Sequence, residues 1–165
     1  MIEIEISVEQ LDKARKLSTK MGKLPNSITN GGGNLAGFIG EVVVTDLLNA
    51  EIKNTYDYDI VDSNGSKIDV KTKRCNSEPK DHYECSIASH GTKQKCNEYI
   101  FVRVLNNLTK AWVLGRISKN DYFENSTYHN KGDIDPDNGF KFRSSCYNLP
   151  INKLGGLDEY EKKIN

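Results

Sequence analysis

The chain has 165 residues, 36% of them hydrophobic, and its 23 basic and 23 acidic residues give a formal net charge of zero. This length predicts one domain over residues 1–165 with a sizeable buried core. We expect no membrane-spanning and no targeting segment, which with four cysteines favours reduced thiols and a cytoplasmic location. The balanced charge excludes a general polyanion binder, so any affinity for nucleic acid has to come from local clusters.

The amino-terminal segment predicts a strand followed by a capped helix. Ile2, Ile4 and Ile6 alternate with polar residues, as in a half-buried strand. Ser7 and Gln10 form a capping-box pair for a helix that reaches about residue 21. Residues 22–34 contain a proline and three consecutive glycines and predict a loop, whose polar side chains either reach a substrate or simply line a connector.

A mostly apolar helix is predicted from Leu35 to Asn49, with hydrophobic residues around most of its circumference. Glu41 interrupts its first half, close to Gly37, Gly40 and Thr45. A buried, unpaired carboxylate costs several kcal/mol, so Glu41 needs a cation, a hydrogen-bond network or a proton. The alternative interpretation is a salt bridge or a partly exposed helix acid.

Residues 56–71 predict a β-hairpin that gathers carboxylates and a lysine onto one face. A two-residue turn of Asn64 and Gly65 is the stronger local signal, but it would mix polar and apolar side chains on both faces. A loop of Ser63, Asn64 and Gly65 separates them, with Gly65 in the left-handed position of a bulge. In that register Asp59 faces Asp69, Asp57 faces Lys71, Tyr58 faces Val70 and Ile60 faces Ile68.

The triplet Asp69-Val70-Lys71 is weak evidence by itself, because four acidic-x-Lys triplets occur in the chain. Only this one lies in a strand-like run, faces a second aspartate and follows an apolar helix that carries an acid. The alternative interpretation is a solvent-exposed face on which acidic and basic side chains form ion pairs across the two strands. This interpretation does not account for Glu41.

These residues resemble the PD-(D/E)xK nuclease superfamily, whose minimal pattern is a helix glutamate, an aspartate that starts a hairpin, and Asp/Glu-x-Lys on the next strand. The matching positions are Glu41, Asp59, Asp69 and Lys71. The resemblance covers about residues 34–105, and the glycine-rich residues 26–41 are similar to a segment of small phage and bacterial members. The chain departs from the pattern in one respect, since no proline precedes the hairpin aspartate and Asp57 competes with Asp59 for that position.

The resemblance implies an α/β fold with a restriction-endonuclease-like core, in which a mixed sheet carries the hairpin between helices. It also implies a Mg²⁺-dependent DNA nuclease in which Mn²⁺ substitutes, because oxygen ligands suit these ions. The implied metal ligands are Glu41, Asp59, Asp69 and the backbone carbonyl of Val70. Lys71 lies on the same face as Asp69 and would orient the attacking water and stabilise phosphate charge.

Basic residues near the triplet are candidates for contacts with DNA. Residues 67–95 contain seven Lys or Arg against four Asp or Glu, which is a local excess. The predicted DNA-binding residues are Asn34, Lys73, Arg74, Lys93 and Gln94. Some superfamily members carry a substrate-facing glutamine on the helix that follows the catalytic strand. Gln94 is similar to it, and an exposed glutamine of a short helix near residues 91–97 is the alternative.

Two rival metal sites have suitable donors, but the spacing of their residues fits neither known pattern. Three cysteines and two histidines between residues 75 and 96 offer enough donors for zinc, but they contain no Cys-x-x-Cys or His-x₃₋₅-His pair. We expect Cys85 and Cys96 in the core instead. Residues 133–139 suggest a calcium loop, but the glycine is at the seventh position instead of the sixth and Ser144 occupies position twelve, so the EF-hand pattern fails.

The remaining elements complete a mixed sheet flanked by helices. The predicted strands are residues 83–87, 99–105 and 111–117, the last two antiparallel, and Ser118 caps a short helix. Trp112 is expected in the core, and residues 126–150 are expected to be irregular and anchored by Phe140, Phe142 and Tyr147.

The sequence leaves the substrate open among duplex, junction, end and recognition sequence. A four-way junction would require a homodimer. The alternative function is a nucleic-acid-binding module that does not cleave, although clustered carboxylates repel phosphate.

Overall fold

The computed structural model describes residues 1–21, 34–136 and 138–157, which form a mixed α/β fold, as predicted. The elements are β1 (Ile2–Glu5), α1 (Val8–Met21), α2 (Asn34–Leu48), β2 (Glu51–Ile52), β3 (Ile60–Val61), β4 (Lys67–Cys75), β5 (Glu84–Ala88), β6 (Glu98–Leu105), β7 (Lys110–Ser118), α3 (Lys119–Asn125), β8 (Thr127–His129) and β9 (Cys146–Pro150). Short 3₁₀ helices follow β5 at Ser89–Lys93 and β9 at Ile151–Lys153.

Six strands form the main sheet in the order β1-β7-β6-β4-β3-β2. β4 and β6 are parallel and the other neighbours are antiparallel. A parallel pair needs a long crossover, which here contains β5 and the first 3₁₀ helix. Because side chains alternate along a strand, the sheet has two apolar faces. One face packs against α1 and α2, and the other is rich in aromatic residues, among them Tyr99, Phe101 and Trp112.

The capped first helix is confirmed. The backbone N–H of Gln10 donates to Ser7 Oγ, and the backbone N–H of Ser7 donates to Gln10 Oε1, each at 3.1 Å. β1 pairs with β7, where Trp112 is buried and donates from Nε1 to Glu3 Oε2 at 3.0 Å. The prediction that Trp112 packs in the core is therefore confirmed.

Helix α2 packs very closely against β4. It begins and ends within one residue of the predicted bounds and contacts both α1 and the sheet, so its burial on more than one side is confirmed. A Cβ atom added at Gly40 would lie 2.0 Å from Thr72 Oγ1, which is a buried hydroxyl without a hydrogen-bond partner in the described residues. Only glycine permits this approach, and it brings the adjacent Glu41 to β4.

We expect Gly40→Ala to destabilise the protein by about 1–3 kcal/mol, although alanine favours helix, because the added methyl group overlaps Thr72. Gly37→Ala is the matched control, since a Cβ there meets no atom within 4 Å. That variant gains helix propensity and should be stabilised by about 0.5–1 kcal/mol. Urea denaturation measures both, and equal effects of the two substitutions would contradict the close packing.

The three-residue hairpin loop is confirmed at the tip. Ile60 pairs with Ile68 and Val61 with Lys67, and Gly65 has a φ of 79° in the left-handed region. Asp62 Oδ1 accepts from the backbone N–H groups of residues 64 and 66 at 2.9 Å each, which holds the turn.

The rest of the predicted pairing is wrong, because β3 contains only two residues. Residues 55–58 form a turn instead, in which the Thr55 N–H donates to the Tyr58 carbonyl at 3.0 Å. The Asp59 N–H donates to the Ile68 carbonyl at 3.0 Å, so Asp59 does not continue the ladder. Among the described residues, β4 beyond Ile68 therefore has no paired strand on this side.

A second sheet of order β5-β9-β8 packs over the aromatic face. The predicted irregularity of residues 126–150 is wrong where β8 and β9 form, because a composition rich in turn residues concealed these short strands. Phe142 is a buried anchor as predicted and Tyr147 packs against neighbouring rings, but Phe140 is 51% exposed. Ser118 caps α3, as predicted, by accepting from the Asp121 N–H at 3.1 Å.

Of the predicted loop at residues 22–34, residues 22–33 lie outside the described residues, and they include half of the glycine-rich segment 26–41. Asn34 begins α2, and its side chain also lies outside the described part of the chain. In the described ranges, no helix is both long enough and apolar enough to cross a bilayer.

Candidate active site

The site lies where β3 separates from β4. Beyond Ile68, the N–H groups of β4 on this side require new acceptors, because no strand within the described ranges supplies them. Asp59 Oδ2 accepts from the Val70 N–H at 2.7 Å, so a side-chain carboxylate replaces a backbone carbonyl. The N–H and carbonyl of one strand residue point to the same edge, so the Val70 carbonyl also faces this side.

Asp59 and Asp69 form a close carboxyl pair. Burial raises the pKa of Asp59 well above its usual range, and repulsion from Asp69 and Glu41 together with a side-chain hydrogen bond to Asp69 raises it further. The hydrogen bond from Val70 opposes this shift. Two carboxylates this close favour sharing a proton unless a cation neutralises them.

Asp69 itself is 2% exposed. Its Oδ2 lies 2.6 Å from Lys71 Nζ as an ion pair, yet within the described chain no donor meets this oxygen with hydrogen-bond geometry. The carboxylate is therefore compensated by charge but is incompletely hydrogen-bonded.

Glu41 enters this cluster from α2. Burial raises the pKa of its carboxyl to about 7, and repulsion from Asp69 contributes. Its Oε2 is buried and has no hydrogen-bond partner in the part of the chain that the structure describes. The alternative of a salt-bridged Glu41 thus finds no support in the described contacts.

Lys71 is held by a second contact besides Asp69. Its ammonium group donates to Gln94 Oε1 at 3.1 Å, and Gln94 Nε2 donates to the Tyr56 carbonyl at 3.0 Å. Gln94 directly follows the 3₁₀ helix, which replaces the helix predicted near residues 91–97. The alternative of an ordinary exposed helix glutamine is wrong, because Gln94 is half-buried and joins the lysine to the turn before Asp59.

Asp57 lies apart from this cluster. The backbone N–H of Lys95 donates to Asp57 Oδ1 at 3.1 Å, so this carboxylate caps another segment and does not face Lys71. The geometry therefore favours Asp59 over Asp57 as the aspartate of the cluster.

We expect Asp59→Asn to reduce divalent-cation affinity by about tenfold or more, because the cluster loses a charged oxygen ligand. Asp57→Asn should leave that affinity within about twofold, since its hydrogen bond to Lys95 needs only an oxygen acceptor. Titration with Mn²⁺ by isothermal calorimetry measures both variants. The opposite ranking would make Asp57 the ligand.

The chemistry of this donor set fits a hard divalent cation. Among the described residues, buried oxygens of Glu41 and Asp69 have no hydrogen-bond donor, and repulsion from Asp69 contributes to the raised pKa values of Glu41 and Asp59, so a cation would relieve both costs. Across residues 1–21, 34–136 and 138–157, no three His, Cys, Asp or Glu side chains already stand in a metal-holding arrangement. Ligation by Glu41, Asp59 and Asp69 therefore requires their carboxylates to rotate toward a common point.

The predicted DNA-binding residues lie in different places. Lys73 is exposed on the same face of β4 as Asp69 and Lys71, whereas Arg74 is exposed on the opposite face. Lys93 is exposed on the 3₁₀ helix. Sequence reasoning missed Arg103, which lies beside Lys73 in the parallel ladder and is 6% exposed. The sequence signal that could have identified Arg103 is a single basic residue in a mostly apolar strand, just as Glu41 is a single acid in the first half of an apolar helix.

The cysteines predicted in the core are there. Cys85 is 0% exposed and Cys96 is 7% exposed, and all four cysteines are free thiols. Burial raises the pKa of the Cys85 thiol to about 12, so it is an inert packing residue at neutral pH.

Comparison with known proteins finds no family model and no curated protein that matches this chain.

Proposed function

We propose that this protein is a divalent-cation-dependent nuclease that hydrolyses phosphodiester bonds of DNA. The observation that carries the proposal is the convergence of Glu41, Asp59, Asp69 and Lys71 from a helix, a turn and a strand. Such clustering is costly in a protein without a bound cation, because two of the carboxyl groups have raised pKa values.

Glu41, Asp59 and Asp69 would hold Mg²⁺ or Mn²⁺, with the Val70 carbonyl facing the same edge. A bound cation of this kind supplies Lewis-acid activation of water and neutralises phosphate charge. Lys71 would orient the attacking water and balance charge on the phosphate, since its ammonium group lies at the cluster. Gln94 would keep Lys71 in place when Asp69 turns toward the cation, because it holds the ammonium group independently.

The arrangement also supports a restriction-endonuclease-like core. Helix α2 precedes a hairpin whose second strand, β4, carries Asp69 and Lys71 and pairs in parallel with β6. This order is the one that the resemblance implies. The proposed setting is phage or bacterial DNA metabolism.

The test is incubation of the purified protein with supercoiled plasmid, linear duplex, single strand and a four-way junction. Each substrate is tested with Mg²⁺, with Mn²⁺ and with EDTA. We expect cleavage of at least one substrate with either cation and none with EDTA. Cleavage that persists in EDTA would reject the cation mechanism. Binding without cleavage under every condition would favour the non-cleaving module instead.

A further inference from the structure

A buried cation lies beside the proposed active site. Lys73 pairs with Arg103 in the parallel ladder of β4 and β6, and Lys73 shares a face of β4 with Asp69 and Lys71. Arg103 is 6% exposed, which is unusual for a charged side chain. Lys73 therefore continues the line of polar side chains formed by Asp69 and Lys71 on β4, and Arg103 lies next to it on β6.

The described residues provide little compensation for Arg103. Its Nη2 donates to the Glu84 carbonyl at 2.7 Å, which is the one hydrogen bond of its side chain within the described residues. A guanidinium group carries five N–H donors and does not lose its charge. No described carboxylate lies within 4.0 Å of either cation, and the Glu84 carboxylate accepts from Asn148 Nδ2 at 2.5 Å. A buried cation without a counter-charge costs several kcal/mol, unless an anion binds there.

The electrostatics of Lys73 agree with this geometry. Although the residue as a whole is exposed, protein atoms surround its ammonium group enough for burial to lower its pKa, and repulsion from Arg103 lowers it further. Cys85, Glu84 and Cys146 oppose the shift. The two positive charges of Lys73 and Arg103 repel each other, and an anion bound beside them would offset that repulsion.

We propose that Lys73 and Arg103 bind the phosphodiester group next to the reacting one in the same nucleic acid strand. This inference rests on the proposed nuclease function. Lys71 and Lys73 are alternate residues of a strand, so their Cα atoms are about 6.6 Å apart. That separation is close to the step between successive phosphates of an extended strand. The guanidinium group of Arg103 offers the paired donors that phosphate oxygens accept.

The experiment measures binding of a fluorescent single-stranded oligonucleotide by anisotropy, in EDTA and over a range of salt concentrations. The variants are Lys73→Gln, Arg103→Gln and Arg103→Lys. The matched control is Lys16→Gln, which removes an exposed cation on helix α1 that is not among the predicted DNA-binding residues. We expect a Kd about fivefold weaker for Lys73→Gln and about tenfold weaker for Arg103→Gln. Lys73→Gln should also lower the salt slope by about one, and Lys16→Gln should change the Kd less than twofold.

Three results would overturn this site. They are a Lys73→Gln variant that binds like the wild type, equal losses in Lys73→Gln and Lys16→Gln, and a wild type that binds no oligonucleotide. Lys73 is exposed, so its variant gives an answer even if the Arg103 variants fail to fold. Inorganic phosphate is titrated separately, and phosphate binding that does not compete with the oligonucleotide would indicate a free-anion site and overturn the assignment to a strand.

Cleavage by the wild type is measured in parallel, which separates the two proposals. Cleavage together with unchanged binding by Lys73→Gln overturns the phosphate site and leaves the nuclease function. A protein that binds through Lys73 but cleaves no substrate leaves an anion site and overturns the nuclease function.

Discussion

Asp69→Asn should reduce Mg²⁺-dependent cleavage of plasmid DNA by at least about a thousandfold. The residue is 2% exposed, contacts Lys71 Nζ at 2.6 Å, and its charge raises the pKa of both Glu41 and Asp59, so it interacts with every other member of the cluster. An amide keeps the shape but removes the charge that attracts a cation. Initial rates of plasmid nicking at saturating Mg²⁺ measure the loss.

The same variant should fold about as well as the wild type in EDTA. Removing the charge of Asp69 relieves its repulsion with Glu41 and Asp59 and so offsets the lost ion pair with Lys71. We therefore expect the free energy of unfolding to change by less than about 1 kcal/mol. Asp81→Asn, in an exposed residue distant in sequence from the cluster, is the activity control. A folded Asp69→Asn protein that cleaves at the wild-type rate would place the active site elsewhere.

The stability of the cation-free protein should fall as the pH rises from about 5 to 8. Folding raises the pKa of Glu41 from 4.5 to about 7, so between these values the folded state holds a proton that the unfolded state has lost. Raising the pH removes that proton from the folded state and lowers the free energy of unfolding by up to about 3 kcal/mol. The raised pKa of Asp59 acts in the same direction.

Glu41→Gln should therefore flatten this pH dependence, leaving the part that comes from Asp59. Urea denaturation in EDTA at several pH values measures it, and Glu124→Gln on the exposed surface of α3 is the matched control. Saturating Mg²⁺ should reverse the trend in the wild type, because a cation binds the ionised carboxylates and adds stability as they deprotonate. A pH profile that is identical in Glu41→Gln and the wild type would show that Glu41 is not the buried acid.

Short-range patterns account for the elements that were predicted correctly. The capping box of α1, the apolar sequence of α2 and the three-residue loop that ends in Gly65 each depend on residues within a few positions of one another. Glu41 was recognisable for a related reason, since a lone acid in an apolar helix has to be compensated wherever that helix packs.

Sequence alone did not determine how the hairpin ends. Periodicity extended the ladder through Asp57, but the chain turns at residues 55–58 and leaves a β4 N–H to be satisfied by Asp59. A strand continues only where its backbone finds hydrogen-bond partners on a neighbouring strand. The local sequence of residues 55–59 is compatible with either a strand or a turn, so it does not decide between them.

The sequence by itself determined the helix that carries Glu41, the strand that carries Asp69 and Lys71, and the hairpin loop of residues 63–65 that precedes this strand. Local hydrogen bonding and hydrophobic periodicity specify these features. Only the tertiary structure decided that Gln94 holds Lys71 and that Arg103 is buried beside Lys73. These contacts join residues that are 23 and 30 positions apart. Such partners are selected by the packing of the parallel pair and its crossover, which no local pattern encodes.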